Sequence, residues 1–217
     1  DSDRPQDIDW RQSAKNDHVF IKQREWQATQ KTYLWCARGQ SMNFASINNL
    51  KTKQETAQIL TLALALLLIK GEENIGIFGN QKTGRSHNRI EDIAHALITD
   101  AHIDYTLPDH QSFHLPQNSG FIAVGDFLCP IEEIERNFAD IATRTKNVAI
   151  IQILDPYELD LEYKGRIQFN GLSAAQNILI NNTGSIRAEY NARMQNHIQS
   201  LQNLVHGYGW SYHLHQS

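Results

Sequence analysis

Cysteine is scarce in this chain. Cys36 and Cys129 are its only two, too few for a disulfide framework. No C-x-x-C pair occurs, so a structural zinc site is not expected either. We read both residues as buried thiols that behave as small apolar groups. Long apolar runs are also missing. The longest, Ile59 to Ile69, is about half the length of a bilayer span and reads as a helix of a soluble core. Basic residues are not in excess: 20 Lys and Arg stand against 24 Asp and Glu, which removes nucleic acid as a default partner. There is no G-x-S-x-G elbow, and therefore no support for a serine nucleophile. No signal peptide is visible. The first residue is Asp1 rather than Met, so we expect a cytoplasmic piece of a longer protein, with any membrane tether outside this chain.

What is present suits a single α/β domain over residues 1–217, a length that buries a sizeable core. Residues 1–16 are polar and read as an irregular lead-in, followed by an extended stretch over 17–27. Tyr33 to Cys36 is a compact β-type run with aromatic content. A loop rich in Gly, Ser and Asn covers 39–49, and a long helix runs from about Thr52 to Lys70, stopped by Gly71. Further strands are expected over 74–79, 121–126, 148–154 and 210–215, with short ones between 163 and 181. Helices are expected over 88–99, capped by Asn88, over 130–143 with Pro130 in its first turn, and over 185–206. Strands that alternate with helices predict a three-layer α/β/α sandwich with a mostly parallel, Rossmann-like sheet. Functional groups then gather where the strands end, in the loops 37–49, 79–88, 125–130 and 155–162.

Gly79 to Ser86, Gly-Asn-Gln-Lys-Thr-Gly-Arg-Ser, is a near miss to the phosphate loop, lying after a strand and before a helix. Asp126 ends another apolar strand, as a Walker-type acid would. Arg85 takes the place of the motif lysine, and a planar guanidinium does not copy a compact ammonium. His213 and His215 alternate on one strand face, but no neighbouring ligands complete a metal set. Glu132, Glu133 and Glu135 suit the start of a helix. Glu158, Asp160 and Glu162 read as a solvated acidic edge.

Two stretches carry a family resemblance. Arg4, Ile8-Asp9-Trp10 and Ser13-Ala14 look like the tail of a "G-D-x-x-R-x-I-D-W-x-x-S-A" signature, with Val19 to Glu25 resembling the "V-K-x-x-E" strand that follows it. Gln40-Ser41-Met42 and the later Lys51-Thr52-Lys53 resemble a "D-x-S-x-S-M" loop and a Lys-led helix. Together they resemble the bacterial "domain of unknown function 58" family. The resemblance implies a von Willebrand factor A-like sheet and an association with MoxR-type AAA+ ATPases in the assembly or maturation of other proteins.

The resemblance also implies a cation site, which this sequence departs from. Such domains hold a divalent ion with oxygen ligands, anchored by carboxylates. Ala37 stands at the Asp position of the first loop and Gly39 at its first Ser; Ser41 keeps its type. Asp126 matches the third-loop Asp, and Thr83 or Ser86 stands near the second-loop Thr. We therefore expect a degenerate site without metal or other cofactor, in which Asp126 bonds the 37–42 backbone or pairs with Arg38. The expected function is a non-enzymatic protein-interaction module with Arg38, Gln40, Ser41, Arg85 and Asp126 as a polar contact rim. A nucleotide-binding protein using 79–86 and a metal-dependent adhesion domain are the alternatives.

Overall fold

The computed structural model describes residues 31–47, 51–99, 106–163, 167–169, 178–180 and 186–217. The lead-in and the 17–27 stretch lie outside the described residues, as does the opening signature. Strand β1 (Lys31–Cys36) is buried on both faces from Thr32 onward, as expected of an interior strand in a parallel sheet. Helix α1 (Lys53–Lys70) follows a short 3₁₀ turn at Gln40–Met42. Its N-terminus is a full capping box. The Thr52 hydroxyl accepts from the Glu55 N–H at 3.1 Å, and the Glu55 carboxylate accepts from the Thr52 N–H at 2.8 Å. Its inner seam is Lys53, Ala57, Thr61 and Ala65, one residue per turn, and these lay the helix across β1 and its neighbours.

Strand β2 (Asn74–Ile77) and helix α2 (His87–Thr99) come next. The helix begins one residue before Asn88, which lies inside its first turn and does not cap it. Strand β3 (Gly120–Gly125) leads to α3 (Ile131–Ala142), where Pro130 is the residue before the helix and Ile134, Phe138 and Ile141 form the buried stripe. Strand β4 (Val148–Leu154) is followed by a one-turn helix α4 (Pro156–Leu159), which the alternating acids had hidden. Strands β5 (Ile167–Phe169) and β6 (Ile178–Ile180) make a separate antiparallel pair. Helix α5 (Arg187–Gly207) and strand β7 (Ser211–Gln216) complete the described elements.

The main sheet has the order β2-β1-β3-β4-β7, and every pairing in it is parallel. This is a Rossmann-like α/β architecture. From β1 the chain first steps to β2 on one side and then returns to β3 on the other. The carboxyl ends of β1 and β3 therefore open onto a switch point, where such sheets place their functional groups. An aromatic layer underlies it: Trp35, Phe127, Phe138 and Trp210 follow one another at centroid distances of 6.0, 6.0 and 5.4 Å.

Candidate functional site at the switch point

The register sets the geometry. Cys36 pairs with Val124, and the next residue, Ala37, donates its N–H to the Val124 carbonyl at 2.7 Å. Ala37 is fully buried, and a Cβ placed on Gly125 would lie 2.7 Å from its methyl. The two loops leave the sheet this close together only because both positions are small.

Asp126 follows directly and is buried. Its carboxylate accepts from the Lys53 ammonium at 3.0 Å, and the same ammonium donates to Glu158 at 2.7 Å. Lys53 is fully buried. A lysine on the first turn of a helix opposes the macrodipole, and these two carboxylates supply the compensation. Neither the Arg38 pairing nor the loop-backbone bonds expected for Asp126 is its principal contact. The ion pair is to the helix that packs beneath the loops. Burial pushes the Glu158 carboxyl above its ordinary value, outweighing the lowering by Lys53; nearby Asp126 adds to the rise.

Asp155 braces the same floor from the end of β4. It is fully buried, accepts from the Ser46 N–H at 2.9 Å and the Tyr157 N–H at 2.8 Å, and caps α4 so that Glu158 can turn inward. Its own N–H donates back to Glu158 at 3.0 Å. The stretch Asp155-Pro156-Tyr157-Glu158 is thus a capping box, and Glu158 is a core ion-pair partner, not part of a solvated edge. Asp160 does remain at the surface, paired with Arg187.

Behind Asp126 a second chain of bonds fixes the backbone. Gln152 Nε2 donates to the Asp126 carbonyl at 2.8 Å, and the Tyr212 hydroxyl donates to Gln152 at 2.6 Å. Phe127 adopts φ 48, a left-handed conformation that is strained for a non-glycine residue. Its ring is locked between Trp35 and Phe138. Its carbonyl lies 2.7 Å from His197 Nε2, which must carry the proton because a carbonyl only accepts.

The five residues expected to form a contact rim separate into two groups. Gln40 and Arg85 are exposed and Ser41 is half-buried, so these three face outward. Arg38 and Asp126 are buried and support the surface from below; neither lines a rim. Arg38 borders a separate cavity of about 310 Å³ between the ends of β1 and β2, with Trp35, Asn80, Asp109 and Ser112.

The phosphate-loop-like segment folds back toward β2. Gly84 exchanges both backbone bonds with Ile75, at 2.9 and 3.0 Å, so the segment doubles back onto β2 instead of opening around an anion. The Lys82 N–H is taken by Asn80 at 2.9 Å, and α2 starts only at His87. Thr83 packs its methyl toward Gly76 and Ser86 is exposed.

Among the described residues, no group of three or more His, Cys, Asp or Glu side chains is arranged to hold a metal. Cys36 is buried and Cys129 half-buried; burial pushes both thiols up to about 11, so they are poor nucleophiles. His213 and His215 lie exposed on β7. Among the described residues no helix is long and apolar enough to cross a membrane.

A family model described as "Protein of unknown function DUF58" matches residues 2–200. The chain belongs to the DUF58 family. No curated protein matches it. Among solved structures, the PilB minor pilin from Streptococcus sanguinis aligns with a TM-score of 0.40 at 9% identity. The alignment covers 92% of this chain and 60% of the pilin. Lys53 and Glu158 are the ion-pair partners around Asp126 that the sequence of this DUF58 chain did not lead us to expect. The signals were a lysine at the wrong end of a helix dipole and a D-x-x-E capping box after a strand.

Proposed function

We propose that this DUF58 chain is a non-enzymatic protein-interaction module. On a von Willebrand factor A-like fold, it presents the loops after β1, β2 and β3 to a protein partner. The observation that carries this reading is the buried Lys53 ammonium between Asp126 and Glu158. A permanent, covalently tethered cation sits on Asp126, the acid that the resemblance matches to the third-loop ligand, while Ala37 stands where the resemblance puts the first-loop ligand. The switch point is then electrostatically satisfied from within, and its outer face keeps one shape whether or not metal is present. Gln40, Ser41 and Arg85 supply polar contacts at that face, which set orientation and association rate more than raw affinity.

The family resemblance suggests a MoxR-type AAA+ ATPase as the partner, acting with this module in the assembly or maturation of other proteins. The test is affinity purification of the full-length protein from its own cells, with and without ATP. Recovery of an AAA+ ATPase that is weakened by a Gln40→Ala/Arg85→Ala variant supports the proposal; recovery of none removes the partner. A metal-dependent adhesion reading has no observation in its favour, because the ammonium already satisfies the remaining carboxylates. The nucleotide reading is the weaker one, since Gly84 and Asn80 bond to β2 and the Lys82 N–H is taken by Asn80.

A further inference from the structure

Helix α1 is apolar on its outside as well as its inside. Between Glu55 and Lys70 it carries no charge. Opposite the buried seam, Ile59 is 52% exposed, Leu67 63% and Leu66 38%, with Ala63 exposed between them. At 3.6 residues per turn, Glu55, Ile59, Ala63, Leu66, Leu67 and Lys70 fall within about 120° of one another. Single exposed apolar residues are ordinary, but a contiguous stripe along a helix that is apolar all round marks a face meant to be covered.

The arrangement of the stripe selects its occupant. It begins with an exposed acid and ends with an exposed base, with a small residue near the middle. We infer that α1 pairs with α1 of a second copy of this chain, antiparallel and centred on Ala63. That two-fold sets residue 63−n against 63+n. Ile59 then faces Leu67 of the other copy, Leu60 faces Leu66, and Glu55 meets the Lys70 end, twice over. A parallel pairing would set Lys70 against Lys70 and lose the match. The antiparallel one also opposes the two helix dipoles favourably, and alanine at the crossing permits close approach. Beside Ile59, Leu60 and Ala63 runs a groove of about 450 Å³, walled by His215 of β7; the partner's Leu66 and Leu67 enter it. The isologous contact makes a closed dimer and no fibre. A helix of this length offers a strip about 27 Å long, less than the roughly 800 Å² per partner of a standard interface, so the dimer dissociates on dilution.

Sedimentation velocity on the intact chain across the micromolar range tests this. The expected result is a species of twice the chain's mass that grows with concentration. Ala63→Arg, at an exposed site, should abolish it with the melting temperature unchanged. Lys70→Glu should weaken it. Independently, Ala63→Cys in a Cys129→Ser background should cross-link on mild oxidation, whereas Lys51→Cys should not. A monomer up to high micromolar concentration, a dimer that Ala63→Arg leaves intact, or no cross-link at position 63 would overturn the inference.

Discussion

Lys53 and Asp126 meet 3.0 Å apart in the interior, and neither side chain has more than a few per cent of its surface in water. One comes from the first turn of α1, the other from the end of β3. Their contact joins the helix to the switch point of the sheet, and Glu158 adds α4, just beyond the end of β4, to the same ammonium.

Removing the cation should be costly. Lys53→Met leaves the buried Asp126 and the half-buried Glu158 without their counter-charge, and loss of one member of a buried ion pair costs about 3–5 kcal/mol. Urea unfolding is expected to show that loss. Much of it should return in Lys53→Met/Asp126→Asn/Glu158→Gln, where no charge is left to compensate. A triple variant no more stable than the single one would mean the lysine matters for packing and not for charge.

An acid at position 37, where the resemblance implies a ligand, should not create a metal site. Ala37→Asp places a carboxylate in a fully buried position packed against Gly125, while Lys53, the cation partner of Asp126, is already shared with Glu158. We expect a destabilisation of a few kcal/mol, with no recovery in millimolar Mg²⁺ or Mn²⁺ by thermal melting. The parent chain should likewise melt at the same temperature with and without these ions. A magnesium-dependent rise in the Ala37→Asp variant would show that Lys53 can be displaced.

The pH response of Glu158 has a definite sign. Its folded-state pKa is raised, mainly by burial, so the folded state keeps the proton where the unfolded chain has already lost it. The resulting contribution is fully present below the ordinary value of 4.5 and is lost as pH rises through the raised one. The stability of the parent minus that of Glu158→Gln should therefore fall as pH rises above 4.5. Denaturant midpoints at a series of pH values measure this. A difference that grows with pH would mean the Lys53 attraction outweighs desolvation.

Close approach at the switch point should resist even a methyl group. Gly125→Ala brings a Cβ to 2.7 Å from that of Ala37, with the Trp35 ring 3.3 Å away. Overpacking of this kind costs about 1–3 kcal/mol, readable as a lower denaturant midpoint. Gly79→Ala is strained for a different reason, its φ of 94 with no neighbour within 4 Å, so it should lower the denaturant midpoint through backbone strain and not through crowding.

The sequence by itself determined the class of fold. Apolar strand runs at 33–36, 121–125 and 148–154, each flanked by helical periodicity, leave little besides a parallel sheet. They also placed Asp126 at a strand end, because local patterning records which residues finish each strand; that Ala37 stands where a ligand acid would be is what the family resemblance implies. The tertiary structure alone decided what pairs with Asp126. Lys53 is 73 positions from Asp126 and 105 from Glu158, and no spacing or periodicity links residues so distant. Their meeting follows from crossover connections that bring a helix start and two strand ends to one point. Folding likewise decided the fate of 79–86, where pairing with Ile75 outcompetes the open loop that the residue types alone suggest, since a backbone N–H bonded to a strand has none left for an anion.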